Sequence, residues 1–175
     1  LLLDRASFRQ LASDIGGIDS PYLKETAEII IDTTNIKMYM RAMLLGKPAA
    51  FIRKLLLSGG SIPEDAYLEY GGESVDAFVD AFIDKFRGSR YCEAVRKGWE
   101  SCKADKSSSM LEKLMDDLLM DHIRKARMVT IGVEPVMAYL FAKETEIKNV
   151  RIIMTGRING LPTEMIRERL RKGYV

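Results

Sequence analysis

Apolar positions in this chain recur mostly at three- and four-residue spacing, the pattern of helices that bury one face. In residues 1–15 the rhythm is carried by Leu3, Ala6, Phe8, Leu11, Ala12 and Ile15, and Gly16-Gly17 ends it. Ser20-Pro21 then supplies an N-cap followed by proline in the first turn, and opens a helix that runs to about Leu45 and stops at Gly46-Lys47-Pro48. At 1.5 Å per residue its length is about 37 Å. Ile29-Ile30-Ile31 has strand propensity, but the flanking period and caps favour helix. Residues 48–57 read as a short amphipathic helix closed by Ser58-Gly59-Gly60. Ser61-Ile62-Pro63-Glu64 has the form of a capping box and predicts a short helix over 66–70, ended by Gly71-Gly72.

The cleanest amphipathic stretch is 73–86, with Val75, Phe78, Val79, Phe82, Ile83 and Phe86 on one face and Asp76, Asp80 and Asp84 opposite. Residues 89–103 form a further helix with Tyr91, Cys92, Val95 and Trp99 inward. The polar patch 103–109 reads as a loop, 110–130 as a second long helix, and Glu134-Pro135 as the start of a third. The expected class is all-α.

A repeat organises these elements. Shifting the chain by 114 residues lays Pro21 on Pro135, Asn35 on Asn149, Met40 on Met154 and Gly46 on Gly160. The same shift lays Pro48 on Pro162, Ile52 on Ile166, Arg53 on Arg167 and Leu56 on Leu170, with no gap. A long helix, a turn and a short helix therefore occur twice. The expected organisation is stacked helical bundles, with 1–62 as one repeat unit and 63–175 as a second helical repeat domain. Asn35 and Asn149 stand in the middle of long helices, where Asn is a poor helix former. Each is followed by an aliphatic residue and a cation, Ile36-Lys37 and Val150-Arg151. One reading is a surface position; the matched context favours a buried amide that ties the long helix to its neighbours.

Composition adds limits rather than chemistry. With 47% hydrophobic and 30% charged residues, 175 residues can bury a sizeable core. A net charge of +2 does not nominate nucleic acid or an anionic membrane. There is no run of about 18 apolar residues that would span a bilayer. Cys92 and Cys102, ten residues apart on one predicted helix, would be about 15 Å apart, beyond the ~7 Å reach of a disulfide. They read as reduced thiols of a cytosolic protein. The chain opens with Leu1-Leu2-Leu3-Asp4, as if in mid-helix, and is expected to be part of something longer.

Candidate catalytic groups are few. His122, the only histidine, is eleven residues from Leu111 and thus about 20° from it round a helix. That places it beside an apolar stripe, as a general base, a metal ligand or, more simply, a hydrogen-bonded buried imidazole. Glu112, Asp116, Asp117 and Asp121 lack the Glu-x-x-His spacing of a di-iron bundle, because Leu119 stands three before His122. They read as a solvated acidic face, with Lys113 answering Asp116 and Asp117, and Lys125 answering Asp121. The glycines punctuate helices and form neither a Walker loop nor a dinucleotide fingerprint. No cofactor is implied. The basic residues Arg151, Arg157, Arg167, Arg169, Arg171 and Lys172 lack interleaved aromatics for nucleic acid and are broken by Glu164 and Glu168. They suit a solvated face or a protein-contact surface, for which Arg151, Arg157, Arg167 and Arg171 are the candidates.

The run Glu134-Pro135-Val136-Met137-Ala138-Tyr139-Leu140-Phe141-Ala142-Lys143-Glu144, continued by Glu146-Ile147-Lys148-Asn149-Val150-Arg151 and Gly160-Leu161-Pro162, resembles the C subunit of V-type and A-type rotary ATPases and ATP synthases (the d subunit of the eukaryotic enzyme). Gly59-Gly60-Ser61-Ile62-Pro63 and residues 32–37 fit as well, and the likeness extends from Leu3-Asp4-Arg5 to the C-terminus. It covers about the C-terminal half of such a protein, so an upstream helical domain is expected. The resemblance implies a funnel-shaped, pseudo-threefold helical protein without catalytic residues, peripheral on the cytoplasmic face of a membrane. It implies a central-stalk adaptor between the central-shaft subunits and the membrane rotor ring, for proton or sodium transport or ATP synthesis. The competing expectation is a helical scaffold of other lineage.

Overall fold

The computed structural model describes Ala6, Gln10, Ser13 and residues 20–69 and 74–175. Most of the predicted first helix, with its stop at Gly16-Gly17, and the predicted stop at Gly71-Gly72 lie outside the described residues. Within them the chain forms α1 (Pro21–Leu44), α2 (Ala49–Leu55), α3 (Glu64–Leu68), α4 (Val75–Lys85), α5 (Cys92–Asp105), α6 (Ser109–Ile123), a 3₁₀ turn (Arg124–Met128), α7 (Glu134–Ile158) and α8 (Thr163–Arg169). No strand occurs among the described residues, and the protein is all-α.

Local chemistry sets several of these boundaries. The Ser20 hydroxyl accepts from the Leu23 amide at 3.3 Å, with Pro21 in the first turn of α1. Ser74 caps α4 in the same way, accepting from the Ala77 amide at 3.2 Å. α1 ends where Gly46 turns to φ 61° and Lys47 donates back to the Ala42 carbonyl at 3.0 Å. A left-handed residue at this point satisfies carbonyls that the helix end leaves open.

The main core is built on α1. Tyr39 packs against Phe78 of α4 at 4.2 Å between ring centroids and against Tyr67 of α3 at 5.6 Å. Phe82, Val95, Leu111 and Met115 complete the same buried cluster, so residues on both sides of position 62 share one core. Full burial of each such large side chain contributes about 1.5–3 kcal/mol. α5 lies so close to α6 that a Cβ on Gly98 would stand 2.9 Å from the Leu111 Cα. A smaller cluster, Met120, Ile123, Ala126 and Ala138, joins α6 to the start of α7.

Several expectations change. The helix predicted over 110–130 stops at Ile123 and tightens into the 3₁₀ turn, which buries Ala126. The predicted capping box does not form. Pro63 is the N-cap of α3, without a side-chain bond, and the Ser61 hydroxyl is drawn to Asp32 at 2.6 Å, while Glu64 accepts from Ser58. A buried carboxylate needs its donors more than a helix end near solvent does.

Candidate interaction surface

The repeat positions share one backbone joint. In the first copy, Asn35 is fully buried on α1; its side-chain amide donates to the Leu57 carbonyl and its oxygen accepts from the Leu57 amide, both at 2.8 Å. In the second copy, Asn149 on α7 makes the same reciprocal pair with Arg171, at 3.0 and 2.8 Å. Both pairs span 22 residues. Between the partners, Gly46 and Gly160 take φ 61° and 66°, and Pro48 and Pro162 precede α2 and α8 in extended conformation. Ile52 and Ala42 lie buried in the main core, and at the place matching Ala42 Gly156 leaves room for Ile166, whose side chain a Cβ would meet at 2.7 Å. Pro21 and Pro135 stand in the first turns of α1 and α7, which Ser20 and Glu134 join by a 3.2 Å hydrogen bond.

The acidic run on α6 is an anchor for the C-terminal tail. Asp117 is buried, accepts from the Lys172 amide at 2.7 Å and pairs with Lys113 at 2.9 Å. Asp116 pairs with Lys37 of α1 at 3.2 Å and Arg171 at 3.0 Å, with Lys148 at 3.8 Å. Burial alone would raise the Asp116 pKa; Lys37, Lys148 and Arg171 together outweigh it and hold the carboxyl below its usual range. The expectation of a solvated acidic face is therefore corrected for these two residues. Lys125 also differs from expectation: it pairs with Glu25, while Asp121 pairs with Lys172 at 2.7 Å. The tail partners Arg171 and Lys172 are 51 to 55 residues from the aspartates they bind, beyond the reach of helix spacing rules.

The four candidate arginines separate. Arg171 has a side chain only 12% exposed and is engaged with Asp116 and the Arg169 carbonyl. Arg151, Arg157 and Arg167 are exposed and have no ion-pair partner among the described residues. Arg151 and Arg171 border a groove of about 550 Å³ between α6, α7 and α8, along with Glu112, Thr155, Ile166 and Arg169; Arg157 and Arg167 do not. Beside Arg151 the outer face of α7 is apolar and open, with Val136, Leu140, Ile147, Val150, Met154 and Ile158 exposed.

His122 lies buried between α6 and α1. Its Nε2 meets the Thr26 hydroxyl at 2.9 Å, its ring stacks on Tyr22 at 4.8 Å, and Nδ1 lies 3.5 Å from Glu25. Burial lowers its pKa, with Glu25 opposing in part. This is the hydrogen-bonded core imidazole. No group of three or more His, Cys, Asp or Glu able to hold a metal occurs among the described residues. Cys92 and Cys102 are free thiols.

One polar centre is not legible from spacing in the sequence. Asp32, fully buried in α1, accepts from the Ser61 amide and hydroxyl, the Ile62 amide and the Tyr91 hydroxyl, at 2.6 to 3.1 Å. A Cβ on Gly60 would lie 2.1 Å from its carboxylate. Its trace in the sequence is a mid-helix aspartate together with Gly59-Gly60-Ser61, but nothing local says that they meet. In the second copy Glu146 takes the matched place, exposed and paired with Lys143 at 2.8 Å.

The molecule thus has a duplicated helical frame, a tail held by ion pairs and hydrogen bonds, and one open flank that is apolar and basic. No described helix is long and apolar enough to cross a membrane. Residues 1–169 match the family described as ATP synthase (C/AC39) subunit, and the chain belongs to that family. It is 31% identical over 166 residues to the V-type sodium ATPase C subunit of Enterococcus hirae, covering 95% of this chain and 48% of that protein. The A-type ATP synthase C subunit of Haloferax volcanii is 27% identical, covering 96% of this chain and 47% of its own length. That of Methanocaldococcus jannaschii is 26% identical, covering 97% and 43%. The chain spans about half the length of these curated relatives. No solved structure matches it.

Proposed function

We propose that this chain is part of a non-catalytic central-stalk adaptor of a V-type or A-type rotary ATPase, joining the central-shaft subunits to the membrane rotor ring on its cytoplasmic face. The family match over residues 1–169 carries the reading. The relatives are named as the C subunits of a sodium ATPase and of ATP synthases, and the same type of role is proposed here. An adaptor in a torque path has to hold its shape under load. Densely packed helices transmit strain, and the two asparagine joints together with the Asp116–Asp117 anchor tie distant segments by buried or half-buried bonds. In this reading 1–62 and 63–175 are two repeat units of one rigid frame, not separately folding bodies. Arg151, Arg157 and Arg167 serve as a charged rim that fixes orientation more than it adds affinity.

The test is co-purification of the full-length protein with the shaft subunits and with the ring. The expected result is association with both. Association with neither overturns the reading and favours a scaffold of other use.

A further inference from the structure

The second copy of the repeated unit carries polar residues that its frame does not use. On the shared backbone, Arg169 and Arg171 stand where the first copy has Leu55, packed against the main core, and Leu57, which is buried. Leucine at both places supports the same helix, turn and asparagine joint, so the arginines answer to something else. For Arg171 that is Asp116. Arg169 is half-buried, and its guanidinium has no carboxylate partner among the described residues. A charge taken partly out of water calls for a partner, and the planar, five-donor guanidinium suits an oxyanion best.

Arg169 lines the groove between α6, α7 and α8 together with Arg151, which is also without an ion-pair partner among the described residues. In the first copy the cations on this part of the long helix are answered. Lys37, at the place of Arg151, pairs with Asp116, and Arg41, at the place of Thr155, pairs with Glu112. Those pairs leave no carboxylate for the groove, because Glu112, its one acidic lining residue among those described, is held by Arg41 and Ser108. Two positive charges therefore face the groove uncompensated. Its walls are Ile152, Leu161 and Ile166, Thr155 adds a hydroxyl, and no aromatic ring lines it for a base to stack on. A volume of about 550 Å³ suits a small molecule.

We propose that this groove binds a small phosphate monoester with a short aliphatic body, its dianionic head held by Arg151 and Arg169 and its carbon chain set against Ile152, Leu161 and Ile166. Charge selects the class. Two unanswered guanidinium groups match a dianion, and a phosphate monoester carries about 1.5 to 2 negative charges on one group at pH 7. Its oxygens accept paired N–H bonds from a planar fork, whereas a dicarboxylate divides its charge between two ends. The apolar walls disfavour inorganic phosphate, which has nothing to set against them. The site shares Arg151 with the charged rim proposed above but does not rest on the rotary reading, so either can fail without the other.

The experiment is calorimetric titration of the full-length protein, purified alone, with butyl phosphate and separately with butyl sulfate, inorganic phosphate and succinate. Butyl phosphate is expected to bind one to one and severalfold more tightly than the other three. Butyl sulfate keeps the shape with a single charge, inorganic phosphate lacks the chain, and succinate splits the charge. Arg169→Leu, which matches Leu55 of the first copy, is expected to fold and to weaken butyl phosphate about tenfold or more, the loss of a charge-assisted contact. Arg151→Gln, at an exposed position, weakens it likewise, and Arg53→Gln, exposed on α2 and outside the groove, leaves it unchanged. No saturable binding of butyl phosphate overturns the proposal, as does full affinity in both groove variants. Equal binding of inorganic phosphate overturns it as an adventitious ion only, and tighter binding of succinate assigns the groove to another class. Retention on vesicles containing phosphatidate, without binding of butyl phosphate, also overturns it, because the arginines then face a lipid surface. The co-purification with shaft and ring is read independently of all these outcomes.

Discussion

Asn35 and Asn149 each devote a whole side chain to satisfying one residue's backbone, Leu57 in one copy and Arg171 in the other. Leucine at either place would raise helix propensity by a few tenths of a kcal/mol and leave an amide and a carbonyl unpaired, at about 1–3 kcal/mol for each buried group. Asn35→Leu is therefore expected to destabilise strongly, and Asn149→Leu by about 1 kcal/mol, because its joint is only half buried. Thermal or urea unfolding measures both, and an unchanged midpoint in both variants would contradict the role assigned to the pair. His122 gives a pH signature with a definite sign. Burial lowers its pKa, so on acidification the unfolded chain takes up the proton first. Stability is full above the ordinary histidine range of about 6.5 and falls as the pH drops from there toward the folded-state value. Asp116 and Glu25, whose carboxyls are held low, withdraw their share only below the usual carboxylate range. The melting temperature is expected to fall between pH 7.5 and 5.5, and His122→Gln to flatten that slope. A slope that persists in the variant assigns the effect to another group.

At the level of elements, what could be read from sequence is what local chemistry decides. Ser20-Pro21 and Gly46-Lys47-Pro48 bound α1 because caps and left-handed turns are set by the residues that occupy them. The end of α6 at Ile123 was not legible, nor was the fate of Ser61. Ala126 is buried by contacts with α7, and Ser61 is claimed by a carboxylate 29 residues away. The inward turn of Asp116 and Asp117 on α6 was not legible for the same reason, since partners of both lie in the tail. Two glycines separate local from tertiary causes. Gly160 has φ 66° with nothing within 4 Å of an added Cβ, so Gly160→Ala is expected to cost about 1–2 kcal/mol of backbone strain alone. Gly98 is helical and would gain about 1 kcal/mol of propensity from alanine, yet its Cβ would meet the Leu111 backbone. Gly98→Ala is expected to be destabilising by about 1–3 kcal/mol in net. Denaturant midpoints check both, and a stabilised Gly98→Ala protein would show that α5 and α6 can move apart at little cost.

For the whole molecule, the arginines distinguish a frame from its rim. Spacing in the sequence could group Arg151, Arg157, Arg167 and Arg171 but could not tell which of them the fold turns inward. Arg171 balances a carboxylate that also meets Lys37 and Lys148, inside a site that holds the tail to α6. Arg171→Glu places a negative charge against Asp116 and is expected to cost about 3 kcal/mol or more, as breaking a desolvated pair does. Arg157 and Arg167 stand in the last turn of α7 and near the end of α8, exposed, with helix-end carbonyls as the nearest favourable field. Reversing both sets two carboxylates against those helix ends and is expected to cost about 1–2 kcal/mol in all, less than the loss of the desolvated Arg171 pair. If they belong to the rim of an adaptor, the double variant Arg157→Glu/Arg167→Glu should assemble more slowly with its partners, and assembly should depend less on salt, because exposed charges act over about 8–10 Å at physiological ionic strength. The measurement is the association rate of the full-length protein at two salt concentrations, with the melting temperature read in parallel. A wild-type rate and salt dependence in a folded double variant would remove these two arginines from the rim, while leaving the duplicated frame and the inward role of Arg171 intact.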